Sequence, residues 1–518
     1  MNNVSRINEK LNCLISALFV LIIGFLAVLS IFIHCETDIY SYEQIKSIAH
    51  HTSYIYLGLT ILAISIIIIL CGALQKVLSC AKRKEMIERS IFFFCMMIML
   101  IGGICWIFFN DNVPSSDQRN VYAEARRIAG FLDEPFDVGY FSYFQRNRGI
   151  VLFMAAIMKI LGDSIYSFRI INLLAMLIIY CSICRTTKLI FKNSVVTALT
   201  EILLMLFYPT VIYTAYHYGT LWAVAFTSLG LFATVSLCET GKRWYAALII
   251  VTFPLGILMH QSAAIGLVAA ICYLLFNSEK GILVRNILIS IIAVIMVVLF
   301  MKTVKISYES ITGADPNASS VPVTCTVYMG LTAPIASGGP GSQDGSYTEI
   351  FNRNKQDGKA ANAEAVQGII HVIGEYITGE RSLKFFLEKT EYQWLDPTFG
   401  ARKIIRTNDS NMSEPPNSDA YIKFYNSSLR TIVFKLSIAG MLLIYISALI
   451  TGIKNIRGSK EYPTVILIQL YVIGGFAFQL FWESLSRYCF NYFIWLIPLG
   501  GMGMYSLYLR LRKFWAKG

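Results

Sequence analysis

Apolar runs recur along this chain at the length of a bilayer-crossing helix, about 20 residues. They lie at roughly 11–34, 54–74, 91–110, 167–184, 195–213, 220–238, 244–260, 262–278, 286–303, 430–452, 463–481 and 488–508. The pattern predicts an all-α polytopic membrane protein with about twelve transmembrane helices. A further run, Gly149 to Leu161, is too short to cross and predicts a re-entrant or interfacial helix.

The polar stretches between the runs set an orientation. Lys and Arg concentrate in cytoplasmic loops. Every second loop is basic: Lys76, Lys82, Arg83, Lys84 and Arg89; Arg185, Lys188 and Lys192; Lys242 and Arg243; Lys280 and Arg285; Lys454, Arg457 and Lys460. The tail adds Arg510, Arg512, Lys513 and Lys517. Both termini are therefore expected in the cytoplasm. Counting 149–161 as a span would put Arg185 and Lys188 outside. The first apolar run follows Arg6 and Lys10 and is longer than a secretory core of about 7–15 residues, so it reads as an uncleaved span.

Two outer segments are long, Asp111 to Tyr166 and about Val304 to Leu429. In the second, "ASGGPGSQDGS" (336–346) and "NDSNMSEPPNSD" (408–419) read as mobile loops. Ala360 to Trp394 reads as helical, and two helices lying on the outer leaflet would fit its apolar positions.

Composition narrows the function classes. The chain is 56% hydrophobic and 15% charged, far from a soluble domain. Its net charge of +12 is accounted for by the inner loops. No Lys/Arg tract with interleaved aromatics appears outside the loops, so no nucleic-acid partner is expected. Most of the twelve cysteines lie within apolar runs and read as packing residues, as does the Cys181/Cys184 pair. The sequons at Asn317, Asn408, Asn411 and Asn426 carry little weight.

Chemistry-bearing residues collect in the outer turns. Asp117 follows Ser115 and Ser116, either of which can cap a helix starting there. Asp117 and Glu124, seven apart, share one face of that helix. A carboxylate at this depth can be a general base, a metal ligand or a solvated cap. Arg146 and Arg148 can snorkel to headgroups or hold a phosphate. Arg169 lies at the outer end of its span, where a buried charge is a functional candidate. His217 and Tyr218 sit in the turn "YTAYHYGT", and His260 sits in another. Glu483 and Arg487 are four apart in the last outer turn, a spacing that allows an ion pair within one helix; alternatively Arg487 faces a lipid phosphate. No metalloprotease, P-loop or nucleophile-elbow motif occurs, nor a metal-spaced Cys/His set.

Taken in order, "SSDQRNVY", "YFQRNRGIVLFMAAIMKILG", "SFRIINLL", "PTVIYTAYHYG", "YMGL", "EYQWLDPTFG" and "WESLSRY" resemble polytopic glycosyltransferases of the GT-C fold. The resemblance is to the bacterial, Gram-positive-like branch akin to protein O-mannosyltransferases and aminoarabinose lipid A transferases. It covers roughly 90–508. It implies two added N-terminal helices (1–89), a GT-C core (90–303) holding the first outer loop (111–166), a large outer region (304–429) and C-terminal helices (430–518). It also implies an inverting hexosyl- or pentosyltransferase. Such an enzyme takes a sugar from a polyprenyl-phosphate donor to an extracytoplasmic glycan, teichoic acid, lipid or protein, within the lipids of the cell membrane and with its active site facing outside.

By that resemblance Asp117 is the base. Arg169 and Arg487 match the family's phosphate-binding arginines, and Arg146 and Arg148 are weaker donors. His217, Tyr218 and Tyr488 complete the expected substrate-binding set. Thr220 stands where many relatives have a second acid, and Gln118 follows Asp117 where eukaryotic mannosyltransferases pair two acids. The Glu/His metal pair of the aminoarabinose branch has no counterpart. One base without a metal is therefore favoured; no cofactor is implied, and a divalent metal stays open. Competing readings are an envelope polysaccharide polymerase or ligase, and a lipid-linked sugar transporter or flippase; the latter predicts inverted repeats and mid-depth charges.

Overall fold

The structure is a computed structural model and describes residues 3–39, 45–79, 83–110, 114, 116–276, 280–334, 339–401, 427–457 and 463–516. Each expected span coincides with a helix, but not each is a full crossing. Seven helices are long and apolar enough: Glu9–Phe32, Tyr54–Leu78, Lys84–Phe109, Ile165–Phe191, Thr220–Thr240, Gly281–Thr312 and Ser428–Ile456. Two more crossings arise if bent pairs count as one each, Ser194–Leu206 with Pro209–Ala215 (51°) and Ser486–Phe493 with Leu496–Trp515 (54°). The other three expected spans, Trp244–Met259, Gln261–Phe276 and Val465–Phe481, are shorter apolar helices. Among the described residues seven to nine candidate spans are found, so the expected count of about twelve is not confirmed. At 1.5 Å per residue, 16 residues reach only about 24 Å, less than the ~30 Å core.

The expected all-α class holds, with one two-stranded hairpin added. Ile33–Ile39 and Ile45–His51 pair as an antiparallel hairpin, in register from Ile33 opposite His51 to Ile39 opposite Ile45. It is tied to the end of the helix Lys384–Trp394 by the Cys35 N–H, which donates to the Leu395 carbonyl at 2.9 Å.

Arg148–Leu161 is a short helix outside the candidate spans, with Val151, Met154 and Met158 buried. Gly149 lets it approach the end of Trp244–Met259, since a Cβ there would stand 2.4 Å from the Leu258 carbonyl oxygen. Gly219 is tighter still: its Cβ would lie 1.9 Å from the Met259 carbonyl oxygen. These two contacts lock together the turns that carry Tyr218 and His260. Gly219→Ala is expected to destabilise the protein by about 1–3 kcal/mol, the usual cost of forcing extra volume into a packed site. A lowered thermal unfolding midpoint in detergent would register it.

Lys280–Thr312 runs nine residues past its expected end at 303 and acts as a post for the segment after Lys84–Phe109. Tyr308 at its top donates to Glu124 Oε1 at 2.6 Å, and Glu309 accepts from Arg148 Nη1 at 3.0 Å.

In the region 304–429 the expected helical stretch is two helices, Gly358–Thr378 and Lys384–Trp394. The first ends at Gly379, which has φ +83°. Val366, Ile370, Ile373 and Ile377 are exposed along it, the last at 81%. The described part of 336–346 departs from the expected mobile loop. Residues 339–342 are buried, Gly341 donates to the Ala333 carbonyl, and its own carbonyl accepts from Ser484 at 2.8 Å. The close approach requires glycine: Gly341 has φ +76°, and a Cβ on it would stand 2.5 Å from the Gly330 oxygen. The stretch 408–419 and Asn408, Asn411 and Asn426 lie outside the described residues.

Candidate active site

A cavity of about 170 Å³ opens where several inter-helix turns converge, with Asp117, Arg146, Tyr218, His260, Arg487 and Tyr488 in its wall. Asp117 is the first residue of the helix Asp117–Ala129, as expected. Ser116 is its N-cap but makes no side-chain capping bond, and its φ is +54°. The carboxylate is held by a chain of donors. Tyr218 OH donates to Asn147 Oδ1 (2.8 Å), Asn147 Nδ2 donates to Tyr140 OH (3.1 Å), and Tyr140 OH donates to Asp117 Oδ1 (2.9 Å). Burial first, and then the Asp117 charge, pushes the Tyr140 phenol far up, so it remains a donor. Asp117 Oδ2 has no hydrogen bond among the described residues. Only the last donor, Tyr140, touches the carboxylate, at Oδ1; the other two hold Tyr140 in place.

Arg487 enters from another wall. Helix Val465–Phe481 ends at Trp482, and the chain runs irregularly to the 3₁₀ turn Ser486–Tyr488. The expected ion pair within one helix is therefore absent. Arg487 Nη1 instead donates to Tyr216 OH (2.9 Å) and Nη2 to Tyr488 OH (3.2 Å); Tyr488 OH in turn donates to Glu483 Oε2 (3.0 Å). A buried carboxylate fixes the turn: Asp396 Oδ2 accepts from Ser486 Oγ (2.8 Å) and from the Gly400 N–H (2.9 Å). This explains "DPTFG" as a structural latch beneath Arg487. Arg146 comes from the 3₁₀ turn before Arg148, with its guanidinium over the Phe144 ring at 5.4 Å and no ion pair among the described residues.

His260 lies between the short helices Trp244–Met259 and Gln261–Phe276. Its Nδ1 accepts from the Ser262 N–H (3.3 Å) and contacts Ser262 Oγ at 2.8 Å, leaving Nε2 to carry the proton. Burial, followed by Arg487 and Arg146, lowers its pKa to about 3. His217, buried beside Arg169, is likewise lowered to about 3. Both rings are thus neutral in the fold yet would protonate near 6.5 in an unfolded chain. Stability is then complete above pH 6.5 and falls as pH drops toward 3, because the unfolded state binds protons the folded state refuses. Each histidine contributes a slope of at most about 1.4 kcal/mol per pH unit. Melting curves from pH 7 to 4 should show the decline, and a His217→Asn/His260→Gln variant should show a shallower one.

Three expected residues do not line the cavity. Arg148 is 1% exposed, paired to Glu309, donating to the Phe141 carbonyl (3.2 Å) and lying over Tyr308 at 4.7 Å. Arg169, also buried, donates to the carbonyls of Ile107 (3.3 Å) and Asn110, capping the end of Lys84–Phe109. His217 Nε2 contacts the Ile165 carbonyl at 3.0 Å, and its N–H donates to Gln118 Oε1 at 3.0 Å. Glu124, on the Asp117 helix, is fully buried and accepts from Tyr308, Arg127 and the Asp137 N–H. These groups frame the site from behind.

The sequence reading missed Tyr140 and Asn147 as wall residues, and Tyr216 as the partner that holds Arg487 from outside the wall. Tyr140 and Asn147 lie in two separate short elements, so no helical spacing in the sequence joined them. Among the described residues no group of three or more His, Cys, Asp or Glu could hold a metal ion.

Residues 149–304 match the family model described as dolichyl-phosphate-mannose-protein mannosyltransferase. That segment holds the His217–Tyr218 and His260 turns and stops short of Asp117, Arg146 and Arg487. No curated protein matches. Among solved structures, the archaeal oligosaccharyltransferase AglB from Archaeoglobus fulgidus, in complex with an inhibitory peptide and a dolichol-phosphate, is similar over 84% of this chain and 52% of its own, with 9% identity and a TM-score of 0.44. This chain thus spans about half the length of that protein. The chain is thus a helical membrane bundle whose segment 149–304 is similar to dolichyl-phosphate-mannose-protein mannosyltransferases.

Proposed function

We propose that the chain moves a sugar, with inversion, from a polyprenyl-phosphate carrier to a hydroxyl of an extracytoplasmic acceptor, a cell-envelope glycan, teichoic acid, lipid or protein. One observation carries the reading: a single cavity at one end of the bundle joins Asp117 to two arginines, Arg146 and Arg487, neither ion-paired among the described residues. The description of the matched family, which names a dolichyl-phosphate-linked mannose, supports the donor class.

The chemistry follows from charge. The acceptor oxygen attacks the anomeric carbon while its proton passes to Asp117 Oδ2. The anomeric C–O bond breaks, and its electron pair leaves on the prenyl phosphate. Arg487 and Arg146 meet that growing charge, the fork of each guanidinium matching two phosphate oxygens. The cavity holds acceptor and donor in line, which converts a bimolecular encounter into a positioned step. His260, neutral, adds an Nε2–H donor without adding charge. Arg148, Arg169 and His217 serve in this account as the frame.

The anomeric configuration of the product tests the mechanism. Direct displacement gives the configuration opposite to the donor's, readable by proton NMR coupling constants. Retention would demand a covalent glycosyl intermediate and a different base.

A further inference from the structure

A second cavity, of about 380 Å³, lies at the opposite end of the bundle from Asp117. It is walled by the start of Lys84–Phe109, the end of Ile165–Phe191 and the start of Ser194–Leu206. Along the first of these helices Glu88 and Ile107 are about 28 Å apart, so this is not a lobe of the site above. By the basic-loop pattern it lies at the cytoplasmic face.

Its charges are arranged in an unusual way. Glu201 lines it, is 4% exposed, and makes no hydrogen bond or ion pair among the described residues. A buried acid without a donor is relieved either by holding a proton or by a cationic hydrogen-bond donor, and an ammonium supplies the second. The nearby Lys188 is engaged with Glu88 at 2.7 Å. Arg185, at the rim, is exposed and has no ion pair among the described residues. One cavity thus offers an acid within and a guanidinium at its mouth, both without ion-pair partners. Phe92 and Phe93 form an aromatic side, with Phe93 54% exposed on the outer surface of a span.

We propose that this cavity binds the head group of an amine-bearing phospholipid. The primary ammonium sits on Glu201, the phosphate on Arg185, and the acyl chains leave past Phe93. The shared chemistry is a phosphate and a primary amine in one molecule; the exposed aromatic wall favours a lipid over a soluble source. A purely anionic head group would meet Glu201 unfavourably, and a choline head group offers it no N–H donor. The inference is independent of the transferase reading.

Native mass spectrometry of the delipidated full chain tests it, titrating phosphatidylethanolamine, phosphatidylglycerol and phosphatidylcholine of equal chain length. Wild type should retain one phosphatidylethanolamine with about tenfold preference, the worth of one charge-assisted hydrogen bond. Glu201→Gln, matched in shape, should erase the preference, and Arg185→Ala, at the exposed rim, should weaken retention. Size-exclusion profiles check that both variants fold. Equal retention of the three lipids by wild type, or an unchanged preference in Glu201→Gln, overturns the proposal. Glycerophosphoethanolamine binding as tightly as the lipid overturns the lipid assignment in favour of a soluble ligand.

Discussion

Asp117→Asn is expected to lower the turnover of sugar transfer by about 10²–10⁴, the contribution of a positioned general base. Asparagine has the same shape, and its carbonyl oxygen can still accept from Tyr140 OH, now 2.9 Å from Asp117 Oδ1. It cannot take a proton. Donor binding should therefore stay within a few fold while kcat collapses, the signature of an interaction made only in the transition state. Steady-state kinetics with polyprenyl-phosphate binding measured in parallel separates the two. Near-full activity in the folded variant would reduce Asp117 to a helix cap. Glu124 makes the contrast: it is fully buried and has three donors, so its loss should register in thermal stability.

Arg487→Ala should reduce kcat/KM by about 10²–10³, as when one donor to a developing anion is removed. The guanidinium already donates through separate nitrogens to Tyr216 and Tyr488, so its plane is set before substrate arrives. Arg487→Lys should recover only part of the loss. A single ammonium cannot hold both tyrosines and present a fork to phosphate. If lysine restores full activity, charge alone suffices and the geometric argument fails. Weakened donor binding in Arg487→Ala, absent in Asp117→Asn, would divide the roles as proposed.

Much of this was legible from pattern alone. Helix positions followed from apolar run length, and Asp117 from its place just after one. Crossing counts were not, because a run such as 244–260 is apolar enough yet one turn or more too short once His260 breaks the backbone. The 33–51 hairpin escaped because its residues carry neither a long apolar run nor a strong turn signal. Arg169 illustrates a deeper limit. An arginine entering the membrane can hold a ligand or cap a neighbouring helix, and only the third dimension brings the Ile107 and Asn110 carbonyls to it. Arg148 was misplaced for the same reason, since Glu309 lies 161 positions away. Asp396 stood in "EYQWLDPTFG" only as part of a resemblance, and its grip on Ser486 spans 90 positions and required the fold.

The most direct test of the transferase account uses wild-type proteoliposomes, a panel of radiolabelled polyprenyl-phosphate sugars and crude envelope acceptors. The account predicts that, for at least one donor, label leaves the organic-extractable lipid and appears covalently in acceptor. Label that remains lipid-linked with every donor, whether it stays in place or crosses to the other leaflet, would contradict it.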